Sequence, residues 1–275
     1  MKRVVILLTV MLTGSAAAQP ERRTDGPAGR RVMLNKEWIG PVGEYLKIAN
    51  DTALITTPFS NGKYPCRLDG NLLIFVHGSY SSERGAFADY DSFRVEGLSK
   101  DSLVLTALNQ GAFETMKKNA FERMTTPASL VFVNRRALDD PNLSFEKVYF
   151  STGGGMAMGW YRMIELEIDS SGNLLFSCLP GTKQVTGTFK GRVSPAEVKH
   201  INELIRKSIP ARYAAIPWHA EDAGSRAIRV YYNGKMKETT DRGVPYLAND
   251  LQAYLGGFVG QVQLEKVSDK YGLTW

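Results

Sequence analysis

The feature that most constrains this chain is a series of short β-favouring runs between residues 38 and 134. "EYLKIAN", "TALITTP", "NLLIFVH", "SFRVEGL", "SLVLTAL" and "ASLVFVN" are separated from one another by Gly, Asn, Asp and Pro. Strands this short and this closely spaced predict a meander that forms a small barrel or sandwich. The apolar residues of "DSLVLTAL" and "LVFV" should face inward, with the lysines and aspartates of the turns in water. "FETMKKNAFERM" is the one helical candidate within this stretch.

The charged segment "NRRALDDPNLS" (134–144) follows the last of these runs and is expected to be a linker, because the pattern changes after it. "WYRMIELEID" alternates, with Ile164, Leu166 and Ile168 on one face and Glu165 and Glu167 on the other. "SPAEVKHINELIRKSI" carries the signals of a helix. Ser194 is its cap, Pro195 suits its first turn and Glu197 completes a capping box. Arg206 and Lys207 suit its C-terminal dipole, and Val198, Ile201 and Ile205 form its apolar stripe. "RAIRVYYNGKMKETTD" predicts a hairpin turning at Asn233-Gly234. "VPYLANDLQAYLGG" predicts a second helix with Leu247, Leu251, Tyr254 and Leu255 inward, stopped by Gly256-Gly257. With a closing "VQLEKV" strand the expected order is ββαββα and one more strand, an α+β domain with two helices on an antiparallel sheet.

The first residues predict an address. Lys2 and Arg3, the apolar run Val4–Leu12 and the triplet Ala16-Ala17-Ala18 have the layout of a secretory signal peptide cut after Ala18. The apolar run is shorter than the roughly 20 residues of a bilayer span, and no cysteine near the cut provides a lipid anchor. The expectation is a periplasmic or secreted protein without a membrane span. The formal net charge of +6 does not point to nucleic acid. Lys2 and Arg3 leave with the signal. Arg22, Arg23, Arg30, Arg31 and Lys36 then concentrate the excess in residues 19–36, expected to be a flexible basic leader. Cys66 and Cys178 fall in different halves of the chain, which favours two buried thiols over a bridge between domains.

In its second half the chain resembles a domain of unknown function of secreted bacterial proteins. The pieces are "FEKVYFSTGG", "MIELEIDSSGNLLF", "GTFKGRVSPAEVKHINELI" and "IRVYYNGKMKETTDRG", in that order, over about residues 145–258. That family usually has a Cys-Phe-Gly-x-Cys-Pro turn before the Leu-Glu-Ile-Asp strand. Here Ala157 and Tyr161 stand where its cysteines would be and Arg162 where its proline would be, with only Gly159 retained. Any role of that cysteine pair is therefore lost. More weakly, residues 37–136 are similar to small lipocalin-like domains of secreted bacterial proteins, through Trp38, "YLKIANDTALI" and "VEGLSKDSLVLTAL".

Several stretches resemble pieces of active sites, and none is complete. "NLLIFVHGSYSSERG" has the strand and His77-Gly78 of an oxyanion-hole turn, with Ser79 and Ser81 beyond it. No G-x-S-x-G elbow follows, the flanking strands lack βα alternation, and His200 and His219 are the only later histidines. His77 is expected to end a strand, with Ser79 and Ser81 in a turn. Ser60/Lys63 and Ser144/Lys147 have Ser-x-x-Lys spacing without its companion motifs. "TGGGMAMG" lies between strands, where no helix N-terminus is available for a phosphate. Glu165 and Glu167 share a strand face at a separation that glycosidases use, but alternating acids are ordinarily a solvated face. Met156, Met158 and Met163 beside Trp160 offer soft ligands for copper, but methionine more often fills core gaps.

No catalytic, cofactor-binding or metal-binding residue is therefore assigned from sequence. The expectation is a non-catalytic binding or interaction protein whose partner is a small apolar ligand or another exported protein. A hydrolase with an unrecognised site is the alternative. The expected layout is a signal peptide (1–18), the leader (19–36), a β-barrel-like domain (37–136) and an α+β domain (145–267).

Overall fold

The computed structural model describes residues 27–41, 43–57, 61–81, 85–109, 111–112, 129–153, 163–179, 186–213, 225–240, 246–258, 262–268, 270 and 272–273. The expected helix in "FETMKKNAFERM" and most of the "TGGGMAMG" turn lie outside these residues.

The first half is a closed antiparallel barrel of eight strands. They are β1 (Glu37–Ile39), β2 (Tyr45–Ala49), β3 (Thr52–Thr56), β4 (Asn61–Asp69), β5 (Leu72–Ser81), β6 (Gly85–Leu98), β7 (Ser102–Ala107) and β8 (Ser129–Asn134). β8 returns to β1, with Trp38 opposite Asn134, so the sheet has no free edge. Alternation sets the interior: Leu46 and Ile48, Ala53 and Ile55, Leu73 and Phe75, Leu103 and Leu105, and Leu130 and Phe132 all point into one core. Phe75 and Phe93 pack there with ring centroids 5.2 Å apart.

Two of these strands carry weak sequence signals. β1 is only three residues long, and β4 contains Gly62 and Pro65. β4 pairs with β3 from Asn61 to Pro65 and with β5 from Cys66 to Asp69. Pro65 thus sits at the changeover of partners, where a missing N–H is tolerated. Within the expected flexible leader, Pro27–Leu34 forms a helix, α1, with Pro27 at its first position. Leu34 is buried in the barrel core, and its carbonyl accepts from Trp38 Nε1 at 3.1 Å. A buried leucine and an indole hydrogen bond give this segment a docking energy that its charge pattern does not reveal.

The second half is a seven-stranded antiparallel sheet in the order β14-β13-β9-β10-β11-β12-β15. Its strands are β9 (Phe145–Gly153), β10 (Met163–Asp169), β11 (Asn173–Leu179), β12 (Gly187–Arg192), β13 (Ser225–Tyr232), β14 (Lys235–Thr240) and β15 (Leu264–Ser268). Four strands, not two, precede the first helix of this half. β12 was hidden because its sequence, "GTFKGR", alternates poorly and holds two glycines. Helices α2 (Pro195–Ser208) and α3 (Asn249–Phe258) cover one face. The capping box is present: Ser194 Oγ accepts from Glu197 N–H, and Glu197 Oε2 accepts from Ser194 N–H at 2.7 Å. Asn233 and Gly234 both have positive φ, as the two-residue hairpin turn requires. α3 does not stop at Gly256-Gly257. It continues to Phe258, whose fully buried ring offsets the low helix propensity of the glycines.

The two halves have separate cores, and Cys66 and Cys178 are buried free thiols in different ones. A third, smaller cluster joins them. Ile39 and Tyr45 on the outer wall of the barrel pack with Ile209 and Leu247, and the Tyr45 and Tyr246 rings lie 4.7 Å apart. Ile209 adopts a left-handed conformation, φ 50°, directly before Pro210. A β-branched residue pays for that conformation, here offset by its burial in the junction. The segment expected to be a linker is packed as well. Asn134 caps a turn of 3₁₀ helix at Arg135–Leu138, Arg206 bonds Asp139 and the Asp140 carbonyl, and Leu143 is buried in the second core.

Candidate functional site

The barrel interior is the natural place for a ligand, and its described residues fill it. Among the described residues its cavity is about 20 Å³, lined by Phe75, Phe93, Leu105, Leu130 and Phe132 among others. That is space for about one water, against the roughly 300–1,000 Å³ of a ligand pocket.

At the mouth of the barrel the structure makes a pair that sequence inspection missed. β5 does not end at His77 but runs on through Ser79 to Ser81, so these residues belong to a strand and not to a turn. Inward-facing positions of β4, β5 and β6 bring three polar side chains together. His77 Nε2 lies 2.8 Å from Asp91 Oδ2, and the His77 and Tyr64 rings are 4.2 Å apart. Asp91 is 4 % exposed, and a Cβ at Gly111 would collide with its carboxylate. Asn109 ties the turn after β7 to β6, accepting from the Ser92 and Ala112 N–H groups. An imidazole and a carboxylate are thus held in contact at the barrel mouth, but His77 Nε2 makes no hydrogen bond there. The pair sits on the β5–β6 ladder, in which His77 is opposite Asp89.

Glu165 and Glu167 do share a face of the second sheet, the one opposite the helices, and both are engaged. Glu167 pairs with Lys147 at 3.3 Å, and Glu165 Oε2 accepts from the Leu273 N–H at 2.8 Å. Arg229 pairs with Glu238 and lies over the Tyr149 ring, and Lys190 pairs with Glu265. This is a charge-balanced face. The side chains of Ser79 and Ser81, Ser60, and Met156, Met158 and Trp160 lie outside the described residues. Lys63 is exposed on β4, and Met163 begins β10. Ser144 and Lys147 flank the start of β9, where Lys147 is committed to Glu167. Among the described residues, no group of three His, Cys, Asp or Glu side chains could hold a metal ion.

A different balance holds in a cleft beside the junction of the two halves. Its volume is about 540 Å³, and it is bounded by the segment between α1 and β1, by β2 and by the residues that leave β8. Lys36, Lys47, Arg135 and Arg136 line it, with Glu37 as its one carboxylate. Closure of the barrel brings them together, because β1 pairs with both β2 and β8. Arg135 Nη1 donates to Glu37 Oε2 at 2.8 Å and Nη2 to the Lys207 carbonyl at 3.1 Å, while Lys47 Nζ donates to Glu37 Oε1 at 3.1 Å. Burial alone would raise the Glu37 carboxyl. Hydrogen bonds from Arg135, Lys47 and Tyr45 outweigh it and hold the group below its ordinary value. Burial, followed by the neighbouring Glu37 charge, pushes the Tyr45 hydroxyl up. No sequence signal short of the barrel's closure could have found this cleft.

No family model matches the chain, and no curated protein is similar to it.

Proposed function

We propose that the chain is an exported, non-catalytic binding protein that recognises its partner on its outer surface, at the cleft beside the junction, and not inside the barrel. One contrast carries this reading: among the described residues the barrel interior leaves about 20 Å³, whereas outer clefts offer about 480 to 940 Å³, and the one beside the junction gathers four cations around one carboxylate. The closed eight-stranded barrel supports kinship with secreted lipocalin-like domains. The order of strands, capped helix and Asn-Gly hairpin supports kinship of the second half with the secreted domain of unknown function. Fold alone does not transfer a ligand, and a barrel this full argues against the apolar cargo that lipocalin kinship would imply.

Export is tested by N-terminal sequencing from the native host, with Gln19 expected first; Met1 retained in a membrane fraction would remove it. Binding is set against catalysis by giving the purified chain an ester, p-nitrophenyl acetate, and separately a fatty acid, palmitate. Neither turnover nor saturable uptake is expected. Ester turnover that disappears in His77→Ala or Ser79→Ala with the fold intact would establish the hydrolase alternative, with His77–Asp91 at its centre.

A further inference from the structure

We infer that the cleft beside the junction is a binding site for a small multivalent oxyanion, a di- or triphosphate or a polycarboxylate. This rests on the reading of the cleft as the binding surface and names its ligand class. The argument is one of charge and donors. Four cationic side chains share one carboxylate, and Glu37 is already saturated by Arg135 and Lys47. Two neighbouring acids are engaged elsewhere: Asp51 pairs with Arg31, and Asp139 with Arg206. On the open face of the second sheet, by contrast, cations meet acids in pairs, at Lys147–Glu167, Lys190–Glu265 and Arg229–Glu238. The cleft has no such matching of cation to acid.

The donors are available as well as charged. Arg136 is exposed. Its backbone N–H is fixed by Asn134 Oδ1 at 3.1 Å, and its guanidinium has no partner among the described residues. Five N–H donors in a planar fork match the oxygens of phosphate or carboxylate. Lys36 donates one hydrogen bond to the Lys100 carbonyl at 2.9 Å and lies over the Trp38 ring, which leaves further donors for a ligand. Arg135 and Lys47 supply the far wall through Glu37. An anion with charges at two or more positions can engage Arg136 and Lys36 together.

The test is calorimetric titration of the full chain with inorganic pyrophosphate and, in a second arm, with citrate at low ionic strength. Saturable one-to-one binding of either anion is expected, weakening steeply as salt is added, and the better of the two identifies the oxyanion. Arg136→Glu and Lys36→Glu should each weaken binding tenfold or more, and Arg136→Lys should retain part of it. Lys190→Glu, on the distant sheet, should stay within about twofold. The thermal midpoint of Arg136→Glu should match wild type, because its side chain makes no bond to the described residues. Absence of binding by both anions at millimolar concentration overturns the assignment, as does equal weakening in Arg136→Glu and Lys190→Glu. Either failure, without ester turnover, removes the oxyanion and leaves the surface-binding reading in place. Turnover removes that reading itself.

Discussion

The two halves solve the same problem in different ways. Each is an antiparallel sheet with one apolar face to hide. The barrel hides its face mainly by closing on itself, so Phe75, Phe93, Leu105 and Phe132 pack against one another, with α1 adding Leu34. The open seven-stranded sheet requires α2 and α3 for one face and leaves the other to ion pairs in water. Closure has a cost in function: among the described residues, the aromatic side chains inside the barrel leave room for about one water. What the barrel offers instead is its outside, where the strands that close it bring distant cations into one cleft.

The comparison breaks first in the cores. Phe93→Ala should cost about 3–5 kcal/mol in urea unfolding, because a closed barrel cannot collapse around the hole. Leu166→Ala, beneath helices that can shift, should cost about 2–5 kcal/mol and fall toward the lower figure. If Leu166→Ala proved the costlier, closure would not be what makes the barrel rigid.

Buried polar pairs should separate the two halves next. His77→Leu takes the imidazole from a carboxylate that is 4 % exposed, and should cost about 1–3 kcal/mol. The corresponding change on the open sheet, Lys190→Gln, breaks an exposed pair and should move stability by less than about 0.5 kcal/mol. Equal effects would mean that the barrel mouth is as wet as the sheet face.

The smallest expected effect lies at the junction and depends on pH. The Glu37 carboxyl is held below its ordinary value of 4.5, so its contribution is present above that value and is lost as pH falls through the lowered one. Wild type should therefore be more stable than Glu37→Gln near pH 7, and the difference should close in acid. A difference that persisted at pH 2 would assign the effect to packing.

How much of this was legible follows the range of the interactions. The cap, box and stripe of α2 sit within one short segment, and the Asn233-Gly234 turn within two residues, so both could be read directly. The alternation that points Leu103 and Leu105 inward is equally local. α1 could not be read, because its polar sequence docks through Leu34 and Trp38 onto a core assembled from strands further along the chain. β4 could not be read either, because it holds Gly62 and because Pro65 is tolerated only where the strand changes partners.

The sequence by itself determined the elements that local chemistry specifies: strands from alternation, α2 from its capping and the hairpin from its turn residues. It also determined the change of pattern that separates an all-β half from a mixed one. Only the tertiary structure decided what those elements bring together. The His77–Asp91 contact depends on the register of the β5–β6 hairpin. The contact of Arg135 with Glu37, 98 residues away in the chain, depends on β8 closing against β1. A residue's type and spacing carry no record of such pairings, because they are set by the packing of the whole core.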